Sequence, residues 1–195
     1  MIILLCIIAY LLGTLPSGLI CAEIFKLGDL RQIGSGNTGA TNVLRTGNKK
    51  AAFITLLLDG LKGSIAVLLY HVISNFTETQ GVILGSCAFL GHVFPVWFGF
   101  KGGKGVATYL GILFGLNSIF GLFACILWLI GAFLSKISSI GALNMALLIP
   151  ILLFFGHNNI IIPSVMLALS GILIFKHKAN IMRIINKTEP RIGQG

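Results

Sequence analysis

Val106-Ala-Thr-Tyr-Leu-Gly-Ile-Leu-Phe-Gly-Leu-Asn-Ser-Ile-Phe-Gly-Leu-Phe-Ala-Cys-Ile-Leu-Trp-Leu-Ile-Gly-Ala-Phe-Leu134 is the stretch on which the fold turns, 29 residues without a charge. One straight helix of that length would run roughly 43 Å at 1.5 Å per residue, against a hydrocarbon core of about 30 Å. The stretch is either one tilted crossing or two short passes with a turn at Gly115-Leu116-Asn117. Further apolar segments cover 2–25, 51–73, 81–99, 137–155 and 160–175. The choice therefore sets the number of crossings.

The basic residues decide it. The loops at 26–50 and 100–105, Lys136 and the tail from Lys176 carry five, two, one and five of the chain's 14 Lys and Arg. A turn inside 106–134 puts all of these on one side and leaves the opposite loops without any. A single crossing would instead send Lys136 and the tail to the other side. Cytoplasmic loops accumulate Lys and Arg, so the pattern predicts seven transmembrane helices, with the N-terminus outside and the C-terminus cytoplasmic. Val106 to Gly115 is short for a crossing and is expected to be partly re-entrant.

Composition agrees. Of 195 residues 56% are apolar and 10% charged, with a mean hydropathy of +0.98, whereas soluble domains carry about a quarter charged residues. The chain reads as an all-α polytopic membrane protein with one domain over 1–195, because no soluble-looking block interrupts the apolar runs from Ile2 to Phe175. Met1 to Phe25 lacks a basic leader and a convincing cleavage site ahead of Pro16, so it reads as a retained first span. Cys6, Cys21, Cys87 and Cys125 lie in or beside apolar runs without CxxC spacing and read as packing residues. Asn75-Phe-Thr77 and Asn186-Lys-Thr188 fit a glycosylation pattern short enough to arise by chance.

Three polar stretches interrupt this apolar background. The first, Gly34-Ser-Gly-Asn-Thr-Gly-Ala-Thr-Asn-Val-Leu-Arg-Thr-Gly47, crowds Ser35, Gly36, Asn37, Thr41, Asn42 and Arg45 into one loop and a helix turn. Freed backbone N–H groups, short hydroxyls and a guanidinium are what a phosphate needs. Gly34 to Gly39 also satisfies Gly-x-Gly-x-x-Gly, with Asp59 20 residues on. The preceding Lys26 to Ile33 is too polar for a buried strand, however, and Asp59 falls in a span, so dinucleotide binding is excluded.

The second stretch runs from Gly91-His-Val-Phe-Pro95 to Lys101-Gly-Gly-Lys104-Gly-Val-Ala-Thr108. It is not a P-loop, since Phe98 and Gly105 stand where a glycine and a magnesium-binding hydroxyl belong. Its physics is similar all the same: Gly102 and Gly103 allow close approach, Lys101 and Lys104 supply charge, and a helix N-terminus follows. His92 reads as a structural residue near the site. The third stretch, Lys176-His-Lys-Ala-Asn-Ile-Met-Arg183 with Glu189 and Arg191 beyond, is a basic amphipathic tail, which acidic lipid alone could explain. His177 and Asn180 within it are not what that explanation calls for. Asp59 and Lys62 share a helical face inside the second span and read as a mutually compensating pair that fixes this helix, with an indirect role in an active site as the alternative.

Together the three stretches resemble the motifs of the bacterial acyl-phosphate-dependent glycerol-3-phosphate acyltransferases, the PlsY family: Ser-Gly-Asn-x-Gly-Ala-x-Asn-x-x-Arg at Ser35 to Arg45, Gly-His-x-Phe-Pro with Lys-Gly-Gly-Lys-Gly-Val-Ala-Thr at Gly91 to Thr108, and His-x-x-Asn-Ile-x-Arg with Glu-x-Arg at His177 to Arg191. The resemblance implies acyl transfer from acyl phosphate to the sn-1 hydroxyl of glycerol 3-phosphate, giving 1-acylglycerol 3-phosphate (lysophosphatidic acid) and phosphate, the first step of phospholipid synthesis. It implies essential Ser35 and Arg45, glycerol 3-phosphate on the second motif's glycines and Lys104, activity dependent on His177 and Asn180, and a site kept intact by Glu189. It also implies a bacterial inner-membrane protein with its site facing the cytoplasm.

The residue types suit that chemistry. Two phosphorylated substrates bring roughly three to four negative charges together, and cations with N–H donors must offset their repulsion. No Ser-His-Asp order is plausibly placed and HxxxxD is absent, so the sequence does not name the proton acceptor; phosphate is a good leaving group, and a substrate phosphate oxygen is one candidate. No metal-ligand cluster is visible and no metal or cofactor is expected. The expected partners are glycerol 3-phosphate, acyl phosphate and membrane lipid, with no nucleic acid, in a monomer. The competing reading is a small anion or phosphate transporter, which would need polar residues along a path through the bilayer.

Overall fold

The computed structural model describes residues 1–73 and 77–193, so Asn75 of the first glycosylation pattern lies outside the described residues. Ten α-helices and two short 3-10 turns make up the described secondary structure, and no strand occurs among these residues. The first apolar segment is interrupted: α1 (Ile2–Gly13) and α2 (Ser17–Ile24) flank Pro16. Proline has no N–H to continue a helix, yet Ile2–Ile24 remains one segment long and apolar enough to cross a bilayer, as expected of a first span. A short α3 (Ala40–Leu44) then precedes α4 (Lys49–Val72), whose start is capped by the Asn48 side chain accepting from the Ala51 N–H at 2.9 Å. A Thr77/Gln80 capping box opens α5 (Glu78–Val93).

The decisive stretch does divide. α6 (Val106–Leu116) ends at Asn117, whose extended backbone (φ −160°) breaks the helix and whose side chain accepts from the Ile119 N–H at 2.8 Å, capping α7 (Ser118–Ser135). One residue thus stops one helix and starts the next, since asparagine competes well for backbone donors at a helix start. After α7 come α8 (Ser138–Gly156), α9 (Ile161–Lys176) and α10 (Lys178–Ile185), the last bent 57° from α9 at His177. Five helical segments are long and apolar enough to cross a bilayer, and the bent pair α9–α10 makes a sixth. At 11 residues α6 is about 16 Å long, half a bilayer core.

Burial explains why so short a helix persists. α6 is the hub of the bundle: Thr108, Tyr109, Ile112 and Leu113 are fully buried, and the helix packs on α4, α5 and α7. The main core joins Tyr109, Ile112 and Leu113 to Phe89, Met145, Ile149, Ile162, Met166 and Leu173. α7 does the reverse and exposes Leu122, Phe123, Ile126, Leu129, Ile130 and Phe133. Surfaces of that kind are stable only against lipid.

The loops sort into two ends. At one, Thr41 Oγ1 lies 3.3 Å from Ser138 Oγ, the Ile192 N–H donates to the Lys136 carbonyl at 2.7 Å, and Lys104 reaches Asn180. At the other, His157 meets Glu78 at 3.3 Å and Asn159 donates to Thr79 at 2.8 Å. The basic segments thus meet in space at one end of the bundle.

Candidate active site

The first motif is organised by Asn42, which is 2% exposed. Its Oδ1 accepts from the Ser35 N–H at 3.0 Å, the Ser35 hydroxyl at 3.3 Å and Arg45 Nη1 at 3.4 Å, while its Nδ2 donates to the Leu30 carbonyl at 2.8 Å. Both ends of the carboxamide are therefore engaged by the protein, and Asn42 acts by setting Ser35 and Arg45 side by side. α3 brings Arg45 back one turn past Thr41, as its five residues allow.

The second motif folds back on the end of α5. The Gly102 N–H donates to the Val93 carbonyl at 3.2 Å and the Gly103 N–H to the His92 carbonyl at 3.1 Å. The approach is too close for any larger residue, since a Cβ on Gly102 would lie 2.1 Å from the His92 carbonyl oxygen. Gly105, in the left-handed region at φ +86°, then turns the chain into α6. This path delivers Lys104 to the third motif.

There Lys104 Nζ donates to Asn180 Oδ1 at 2.6 Å, Asn180 Nδ2 donates to Glu189 Oε1 at 2.5 Å, and Glu189 also accepts from Ser139 Oγ at 2.8 Å and Arg183 Nε at 2.6 Å. Glu189 thereby fixes which end of the Asn180 amide faces the lysine. Burial tends to raise the Glu189 pKa, but bonds from Asn180, Ser139 and Arg183 outweigh it and hold the carboxyl below its usual value. Burial lowers Lys104 to about 8, with Arg183 and Arg45 acting the same way and Glu189 opposing. His177 is 2% exposed and faces the Leu173 carbonyl one turn back along α9. Its Nδ1 lies 2.8 Å from that carbonyl, which can only accept, so Nδ1 carries the proton and Nε2 is the ring's acceptor.

These groups share a cavity of about 300 Å³. Ser35, Asn37, Thr41, Asn42, Arg45, His92, Lys104, His177, Asn180 and Glu189 all line it, so ten of the residues singled out in the sequence come together. Its other end is apolar, formed by Leu56 of α4, Leu110 of α6, Trp128 and Leu129 of α7 and Ala142 of α8. Gly36, Lys101 and Gly102 instead line a larger surface cavity of about 660 Å³, which shares Ser35, Asn37, Lys104 and Asn180 with the first and adds Arg31, Lys176 and Arg183. Gly103 lies behind, against His92. Among the described residues no cluster of three or more His, Cys, Asp or Glu could hold a metal ion.

The sequence pattern of the glycerol-3-phosphate acyltransferases matches residues 3–187. The chain belongs to that family. It is 49% identical over 187 residues to the glycerol-3-phosphate acyltransferase of Brucella suis, spanning 96% of this chain and 91% of that one. It is 51% identical over 193 residues to that of Mesorhizobium japonicum, spanning 98% and 96%. The fold matches the crystal structure of PlsY (YgiH), an integral membrane glycerol 3-phosphate acyltransferase, in its glycerol 3-phosphate form, with a TM-score of 0.92 and 35% identity over 98% of this chain and 96% of that one. The lysophosphatidic acid form of the same protein matches at 0.87 and 34%, over 99% and 96%.

Within this acyltransferase, sequence reasoning missed Arg31, Ser138 and Ser139. Ser138 and Ser139 open α8 one residue beyond Lys136, near a helix start where hydroxyls usually serve as caps. The one available signal was their place beside a loop on the basic end. Asp59, read from the sequence as half of a structural pair, lines the cavity as well.

Proposed function

We propose that this chain transfers a fatty acyl group from acyl phosphate to the sn-1 hydroxyl of glycerol 3-phosphate, releasing 1-acylglycerol 3-phosphate and phosphate. The observation that carries the reading is the amphipathic cavity: an apolar slot between α4, α6, α7 and α8 ends on Ser35, Arg45, Lys104 and His177 and continues into a basic surface cavity. One anion with a lipid tail and one soluble anion therefore have separate approaches to one point. The relatives' names and the two ligand forms of the solved acyltransferase support the acceptor and the product.

In the reaction the hydroxyl oxygen bonds to the acyl carbonyl carbon and the carbon–oxygen bond to phosphate breaks. Phosphate is a good leaving group, so bringing the two anions together is the main task. Arg45 and Lys104 offset their charge, the Ser35 hydroxyl turns from Asn42 to donate to a phosphate oxygen while its N–H stays on Asn42, and Asn42 and Asn180 hold Arg45 and Lys104 in place. The His177 ring stands beside the glycerol hydroxyl as a polar wall of the cavity, and the single hydrogen of that hydroxyl faces a substrate phosphate. The proton goes to a phosphate oxygen.

The fold is read as seven crossings, N-terminus outside, in a bacterial cytoplasmic membrane, with the site at the cytoplasmic face of a monomer. A transporter would need ionisable groups along its path. The mid-helix ion pair of Asp59 and Lys62, 2.6 Å apart, neutralises itself instead. The test is donor choice by the purified protein: acyl phosphate should yield lysophosphatidic acid, and acyl-CoA as sole donor should yield none. Equal turnover of acyl-CoA would overturn the proposed donor.

A further inference from the structure

Lys62, buried in mid-α4, does more than neutralise Asp59. Its Nζ donates to Asp59 Oδ1 at 2.6 Å and to the Leu15 carbonyl at 2.5 Å, at the break between α1 and α2. The same Asp59 oxygen lies 3.4 Å from His92 Nδ1. The Asp59 main-chain carbonyl accepts from Thr108 Oγ1 at 2.9 Å, which ties the start of α6 to the same turn of α4. Asp59 and His92 are also the two residues that line both the reaction cavity and a polar cavity of about 50 Å³ behind it.

The far side of the His92 ring shows what this arrangement holds. A Cβ on Gly103 would lie 2.1 Å from His92 Nε2, so the ring is pressed against the α-carbon of the residue preceding Lys104. The ring therefore backs the main chain rather than reaching for a substrate. Turning it would move the backbone that carries the Lys104 ammonium to Asn180.

We infer that Asp59 and His92 are positioning residues for acyl transfer: Asp59, neutralised by Lys62, holds the His92 imidazole, and the imidazole sets the Gly102–Gly105 backbone that aims Lys104 at the acceptor's phosphate. The buried pair belongs to the active site through His92. A purely structural pair would be dispensable to catalysis once both charges were removed together, since replacing a buried ion pair by apolar residues of similar size is often neutral for stability.

The inference rests on the acyl-transfer reading, and the wild-type protein separates the two. A wild type that turns over neither acyl phosphate nor glycerol 3-phosphate removes that reading, whereas turnover that the variants leave unchanged removes only this inference. The first test is a cycle of Gly103→Ala, His92→Ala and the double variant, each checked for monodispersity and Tm in detergent. His92→Ala is expected to raise the KM for glycerol 3-phosphate about tenfold with the KM for acyl phosphate unchanged, and Gly103→Ala to lower kcat/KM about a hundredfold. The double variant should be no worse than His92→Ala, because the added methyl fills the space the ring leaves. Losses that multiply would overturn the proposal. The second test is Asp59→Leu with Lys62→Met, expected to keep its Tm while raising the glycerol 3-phosphate KM about tenfold, as His92→Ala does. Wild-type kinetics there would also overturn it, and should that variant fail to fold, the Gly103/His92 cycle decides alone.

Discussion

Lys104 Nζ donates to Asn180 Oδ1 at 2.6 Å across 76 residues of chain, and this bond joins the second motif to the third. Through Glu189 the same chain of bonds reaches Ser139 at the start of α8 and Arg183 of α10. On the proposed reading Lys104 is held before a substrate arrives, so little reorganisation remains for the reaction itself.

The lysine's burial gives a pH signature. With a pKa of about 8, Lys104 is an ammonium below that value and a neutral amine above it. The kcat/KM for glycerol 3-phosphate, which reports the free enzyme, is expected to fall as pH rises through about 8. A bound phosphate favours the ammonium, so the corresponding limb in kcat should lie at higher pH. Glu189 raises the Lys104 pKa, so Glu189→Gln should move the kcat/KM limb to lower pH. Initial rates between pH 6 and 10 check this, and a limb unmoved by Glu189→Gln would contradict it.

Ser139→Ala removes one of the bonds that fix Glu189. Bonds to charged groups are worth about 1.5–3 kcal/mol, and the carboxylate keeps Asn180 and Arg183. A loss of about tenfold in kcat/KM with little change in Tm is expected from steady-state kinetics and thermal unfolding. An unchanged rate would show that Asn180 is oriented without Ser139.

The crossing of α4 and α6 has no spare room. A Cβ on Gly111 would lie 1.9 Å from the Gly60 carbonyl oxygen, whereas one on Gly171 in α9 would meet nothing within 4 Å. Gly111→Ala should destabilise by about 1–3 kcal/mol or more through overpacking. Gly171→Ala should stabilise by about 0.5–1 kcal/mol, because alanine loses less backbone freedom on helix formation. Thermal unfolding in one detergent compares them, and equal Tm values would contradict the close helix contact.

Orientation can be read by labelling single cysteines with an impermeant maleimide in a background lacking Cys6, Cys21, Cys87 and Cys125. Lys136→Cys and Lys187→Cys should react from the cytoplasmic side and Asn158→Cys from the other. Reaction of Lys136→Cys and Asn158→Cys from the same side would remove one of the seven proposed crossings.

Much of the site was legible because its chemistry is local in sequence. Ser35 to Arg45 and Lys101 to Lys104 stand out as glycine, hydroxyl and charge in an apolar chain. The turn at Asn117 was legible for another reason: helix length against bilayer thickness raised the question, and the sidedness of charge decided it. What did not show were contacts made by ordinary residues across the bundle. Nothing marks Ser139 apart from other serines at helix starts, and nothing in the order of residues says that Asp59 touches His92. Asn42 was recognisable as part of an anion loop, but only its four hydrogen-bonding contacts reveal that it organises the loop from within.

The most direct measurement follows both products at once from purified protein given acyl phosphate and glycerol 3-phosphate. Phosphate and lysophosphatidic acid should appear one for one, and Lys104→Ala and Arg45→Ala, folded by their Tm and elution, should produce neither. Phosphate release without lysophosphatidic acid, or full activity in Lys104→Ala, would contradict the account.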